Sequence, residues 1–407
     1  LYALFAIKTA NAGSPLSTLF IASGGILKLS GATPTNGSHN VFTFIESELI
    51  MHGTLTVDST YSNNGAQAVG DTVFRGVSTY DSNLASSAQG FPNINVQTTA
   101  AGAVSTLTLT NTAVGGNTVV VWDLADNNGS ATVTIGTNKT LKVVSTTLNA
   151  VVTRGSLTLG ATGTLNGALG NLTIDKSYFS NESANFSVGT LTLTDSGNSL
   201  NSYIDVNTGA MTAANMTYTR TDGNTGQLCN ALCTTANAGT LTVNGLATIA
   251  GNLKLYNDTS ASFNDLTINS GTMTLANAAR AIGTLTIAAG ATRQVDNTLT
   301  LAKAGTSLVN NGTLSFAANG TDGTIRYAGA AAQTITGTTY RNLTTENASG
   351  LTASLSTIIS RLWSLVAGLV SSAGNATMNT ATTFSRTGGS LNVAPVFGTT
   401  VNVEYPQ

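Results

Sequence analysis

Gly239-Thr-Leu-Thr-Val243, Asn252-Leu-Lys-Leu-Tyr256, Asp265-Leu-Thr-Ile268, Gly271-Thr-Met-Thr-Leu275, Gly283-Thr-Leu-Thr-Ile287, Thr298-Leu-Thr-Leu301 and Gly312-Thr-Leu-Ser-Phe316 follow one another through the middle of the chain. Each unit alternates a small polar residue with an apolar one, which is the period of a strand with one face buried and the other wet. Gly, Asn, Ala, Ser and Thr separate the units and supply turns. The last units start at 271, 283, 298 and 312, so about a dozen residues separate strand starts, and that spacing is taken as the internal repeat.

Two all-β architectures use strands at such intervals: an antiparallel sandwich or barrel, and a solenoid whose coils stack in one direction. Hairpins favour two-residue Asn-Gly or Asp-Gly loops, whereas the connections here are longer and irregular. Stacked coils place like residues over like, and the apolar positions repeat Leu, Val and Ile. The spacing therefore predicts a right-handed parallel β-solenoid (β-helix). At 407 residues the chain exceeds what one compact core normally holds, a limit that a one-dimensional stack escapes.

Working outward, Gly25-Ile-Leu-Lys-Leu29 and Gly53-Thr-Leu-Thr-Val57 are units of the same kind, so 1–57 reads as an N-terminal strand and first coils. Residues 58–100 are less regular, with loop-like Tyr61-Ser-Asn-Asn-Gly65, Asp81-Ser-Asn83 and Gly90-Phe-Pro-Asn93, and a strand-like stretch at Phe74-Arg-Gly-Val77. They read as a loop-rich insertion, the place where solenoids put contacts. Regular units from Ser105-Thr-Leu-Thr-Leu109 onward make 101–350 the main solenoid, and 351–407 its C-terminal coils. Within the latter, 355–370 is apolar but interrupted by Arg361 and shorter than the roughly 20 residues of a spanning helix. It reads as two strands, with an amphipathic helix as the alternative and no membrane span.

Charged residues make up 8% of the chain and the formal net charge is −2, so the polar surface consists of hydroxyls and amides. Such a surface suits stacking, packing beside copies of itself, or meeting sugars. It lacks the basic stripe that nucleic acid requires.

Gly323-Thr-Ile-Arg-Tyr-Ala-Gly329, Ala332-Gln-Thr-Ile-Thr336 and Tyr340-Arg-Asn-Leu-Thr344 together resemble a repeat of large secreted, repetitive bacterial surface proteins. There a Tyr-containing strand leads to a Gln-Thr-Ile strand and then to a Tyr-x-Asn-Leu strand. The wider Gly-Thr-Leu-Thr-Val units resemble adhesin and autotransporter-passenger β-helices. The resemblance implies an extracellular or cell-surface location and carries over no catalytic residue.

Candidates for chemistry are few. His39 and His52 are the only histidines, and a triad would need one of them beside a nucleophile and an acid. Glu46 and Glu48 share one strand face, and Asp123 and Asp126 in Trp122-Asp-Leu-Ala-Asp126 suit either a calcium loop or a turn at a strand end. No cofactor is expected. Cys229 and Cys233, three residues apart in the interval between them, fit neither a four-ligand zinc site nor a redox motif, and read as a local disulfide of an oxidising compartment. Asn-x-Ser/Thr triplets such as Asn138-Lys-Thr140, Asn215-Met-Thr217 and Asn311-Gly-Thr313 suit stacked asparagine ladders better than glycan acceptors.

The chain opens on apolar Leu1-Tyr-Ala-Leu-Phe-Ala-Ile7. With Ala10-Asn11-Ala12 this stretch is either the tail of a signal peptide or a first strand. As a strand, Leu1, Tyr2, Leu4, Phe5 and Ile7 are candidates for self-association by strand addition. The expected function is an extracellular structural protein, a self-assembling subunit of a filament, sheath or surface layer. The alternatives are an adhesin whose loops bind surface glycans and a polysaccharide-degrading β-helix enzyme.

Overall fold

A computed structural model of the protein describes residues 6–7, 17–21, 26–29, 43–44, 47–51, 54–57, 72–74, 76–81, 93–97, 104–121, 123–126, 131–144, 146–148, 151–153, 156–159, 164–175, 178–181, 185–195, 203–206, 210–229, 240–255, 260–275, 280–316 and 323–405. These residues form an all-β parallel solenoid in which each strand lies beside its counterpart in the next coil. The chain divides into two compact units: Leu1–Ala214 with the short segments Asn230–Leu232 and Asn237–Gly239, and Asn215–Cys229 with Cys233–Ala236 and Thr240–Gln407.

In the first unit the alternation of the sequence becomes columns. Leu107 pairs with Val133 and Val133 with Leu165, while Thr106 pairs with Thr132 and Thr132 with Thr164. The apolar column is buried throughout and the threonine column is half-buried. A parallel register keeps each residue beside its counterpart at the inter-strand spacing of about 4.8 Å, and a slip of one residue would exchange the two faces. The long strand Thr164–Asp175 bends between Gly167 and Asn171 and so serves two faces of its coil. Its first half pairs with Thr132–Ile135 and its second with Thr140–Val144.

Within 58–100 the strands Thr72–Phe74, Val77–Asp81 and Asn93–Val96 belong to the stack, and the connecting residues lie outside the described ones. A single antiparallel hairpin, Thr146–Leu148 with Val151–Thr153, stands among the described parallel pairs.

The second unit contains the stretch that decided the fold. Leu241, Val243, Leu285, Ile287, Leu299 and Leu301 all point inward and are at most 1% exposed, while Thr242, Thr286 and Thr300 face out and are half-buried. The threonines are partly covered because other coils lie above and below them.

The true repeat is longer than the spacing of strand starts. Thr240 pairs with Ser260 and Leu343 with Trp363, so these coils advance 20 residues, and the coil from Thr298 to Thr324 advances 26. The units beginning at 271 and 283 are not stacked neighbours. Thr272–Leu275 pairs with Thr292–Val295 in one sheet, and the later part of Arg280–Ile287 pairs with Ser260–Ser270 in another. Consecutive strands turn a corner, and only the coil above repeats the column.

Glycine makes that corner. Gly251, Gly271 and Gly290 close successive coils with φ of 124°, 71° and 79°, where other L-residues are strained. The corners also stack closely: a Cβ on Gly251 would lie 2.5 Å from the Arg220 carbonyl oxygen. Asn252 ties the corner together, accepting Thr272 N at 2.8 Å and donating to Gly223 O at 2.8 Å. Asn252 therefore bridges three coils through backbone groups.

The apolar segment at 355–370 is strand, as expected: Leu351–Ala353, Thr357–Ala367 and Leu369–Ser371 continue the stack. The described helical structure is one 3₁₀ turn at Ala373–Asn375. No described helix is long and apolar enough to cross a membrane.

Candidate functional site

The Tyr, Gln-Thr-Ile and Tyr-x-Asn-Leu segments fall on the strands Thr324–Tyr327, Gln333–Ile335 and Thr339–Glu346. Tyr327 and Tyr340 are fully buried, with their rings edge to face at 6.4 Å and their hydroxyls 2.9 Å apart. The Tyr340 hydroxyl donates to the Thr336 carbonyl at 2.8 Å, which leaves its oxygen to accept from Tyr327. The Tyr327 oxygen in turn accepts the Thr336 N–H at 3.3 Å.

Beside this pair, Gln333 is the hub of three successive turns of chain. Its Nε2 donates to Leu301 O at 3.0 Å and Lys303 O at 2.9 Å, and its Oε1 accepts Gly329 N at 2.8 Å and Asn347 Nδ2 at 2.9 Å. Asn347 also donates to Ala331 O at 2.7 Å. A Cβ at position 329 would meet Gln333 Cδ at 2.7 Å, which accounts for the glycine in the motif.

This network is closed to solvent, and its chemistry is that of a framework. Buried polar groups that are satisfied fix one register, since any slip would strand them unpaired. Burial pushes both phenols above their ordinary value of 10.0, Tyr340 furthest, because Tyr327 beside it adds to the effect of burial. The folded state thus keeps its protons after the unfolded chain has released them. The stability contributed by the pair is intact below pH 10 and falls as the pH climbs above it. The urea midpoint is expected to hold level up to about pH 9.5 and then to drop, with a smaller drop in Tyr340→Phe. Equal drops in the two proteins would contradict the assignment.

Other charged groups are tied up locally. The buried Arg220 grips Asp222 through Nε–Oδ1 at 2.6 Å and Nη2–Oδ2 at 2.9 Å, which holds that carboxyl far below the usual carboxylate range. Lys142–Asp175, Lys303–Asp265 and Arg326–Glu346 are pairs on the outer face. Arg293 is the departure from pattern. It stands in an inward position between Met273 and Leu314, fully buried, and its Nη1 donates to Met273 O at 2.7 Å and Gln294 O at 2.9 Å. A lone Arg in a Thr-Arg-Gln-Val strand gives no sequence signal that it faces the core.

Two surface features stand out among the described residues. A shallow groove of about 380 Å³ runs over Thr132, Thr164, Asn166, Phe186, Ser187 and Thr212 in the first unit. In the second unit, a hollow of about 420 Å³ of mixed character is lined by Phe384, Leu391, Phe397, Val403 and Tyr405 together with Arg386 and Ser390. It lies at the outer edge of the strands Val396–Phe397 and Val401–Glu404, whose described pairings use one edge only. These residues prolong core columns: Ile359, Met378 and Phe397 form one, and Leu343, Trp363, Phe384 and Val403 another. The columns are buried as far as Met378 and Phe384, and then Phe397 is 47% exposed and Val403 50%.

The sequence-derived candidates are only partly described. Ile7 lies in the strand Ala6–Ile7, paired with Thr43–Phe44; its side chain, and Leu1, Tyr2, Leu4 and Phe5, lie outside the described residues. Cys229 closes the strand Thr225–Cys229, and its side chain and Cys233 also lie outside them, as do His39, His52 and Glu46 and the side chain of Glu48. Asp123 and Asp126 open and close a strand paired on both sides, with Asn93–Val96 and Ser156–Leu159. Asn127-Asn-Gly129, where the motif continues past the strand, and the side chains of both aspartates lie outside the described residues. Among the described residues no three His, Cys, Asp or Glu side chains gather as a metal site would require.

No protein-family model, curated protein or solved structure matches the chain.

Proposed function

We propose that the protein is an extracellular structural protein, a self-assembling β-solenoid subunit of a filament, sheath or surface layer. The feature that supports this reading is the stack itself, in which Leu107, Val133 and Leu165 lie over one another, threonines line the outer face and only 8% of the chain is charged. A face of hydroxyls with few charges suits packing beside copies of itself. The surface-protein resemblance of 323–344 supports the location.

Light scattering and electron micrographs of the purified chain test the reading. The wild type is expected to form ordered polymers that persist at high salt, because contacts of this kind contain few ion pairs to screen. Deleting residues 1–12 tests the N-terminal strand in the same assay, and unchanged assembly would clear it of the role. Dispersed single particles from the wild type would contradict assembly.

The Cys229–Cys233 bridge belongs to the same extracellular reading. Intact mass without reductant is expected to be lower by two hydrogens than after reduction, and no difference would mean free thiols.

A further inference from the structure

No further inference is drawn: the strongest candidate, the shallow groove over Thr132, Thr164, Asn166, Phe186, Ser187 and Thr212 in the first unit, mixes hydroxyl, amide and apolar groups with no charged side chain, and no second observation points to a ligand in it.

Discussion

Replacing Gly368 with alanine is expected to destabilise the second unit by about 3 kcal/mol, the sum of two costs. Gly368 has φ of 81°, where an L-residue pays about 1–2 kcal/mol. A Cβ there would also run into the carbonyl oxygen of Asn347, the residue that donates to Gln333. Overfilling a packed site of this kind typically costs a further 1–3 kcal/mol or so. The backbone cannot yield freely, because Gly389 lies in the next coil, where its own added Cβ would be 2.6 Å from Gly368 O. Gly290→Ala separates the two costs, since Gly290 has φ of 79° but nothing within 4 Å of an added Cβ. Urea melts should therefore show Gly290→Ala losing about 1–2 kcal/mol, the backbone cost alone. Equal losses in the two variants would mean that the stacked corner is not tightly packed.

Trp363→Ala is expected to cost about 3–5 kcal/mol, the range for emptying a large aromatic site in a core. Trp363 is fully buried, stacks between Leu343 and Phe384, meets the Phe384 ring edge to face at 5.7 Å, and donates its indole N–H to Thr345 Oγ1 at 3.2 Å. Trp363→Phe keeps most of the volume and loses that hydrogen bond, so about 1–2 kcal/mol is expected. Leu355→Ala is the control. Leu355 is 75% exposed, and its loss should change stability by about 0.5 kcal/mol or less. A Trp363→Ala protein as stable as the control would show that the column is not a packed core.

The direction of the Thr-Leu-Thr-Ile side chains was legible in the sequence, and the inward turn of Arg293 and the length of the coil were not. Thr-Leu-Thr-Ile places leucine and isoleucine inside because period two leaves a strand no other choice. That rule also placed Arg361-Leu-Trp-Ser-Leu-Val366 in a strand, with Trp363 inward and fully buried. The dozen-residue spacing was real, but it counted strands on different faces. The 20-residue coil emerges only when Thr240 is set beside Ser260, a pairing that local pattern does not reveal.

The Gln333 hub was similarly hidden. The Gln-Thr-Ile motif was visible, but its partners Leu301, Lys303 and Asn347 are separated from it by up to 32 residues and contribute mostly backbone atoms, which carry no sequence signature. Alternation predicts which face a residue takes, and burial of that face depends on whether another coil covers it.

The most direct test of the stacked-coil account is a pair of distances from spin labels. Labels at Thr267 and Thr286, which face out from adjacent strands in register, should couple strongly through space. Labels at Thr274 and Thr286, on consecutive strands that belong to different sheets, should couple more weakly. A sandwich built from hairpins would pair the consecutive strands Thr272–Leu275 and Arg280–Ile287 with each other. Stronger coupling at 267/286 is the predicted result, and stronger coupling at 274/286 would contradict the solenoid.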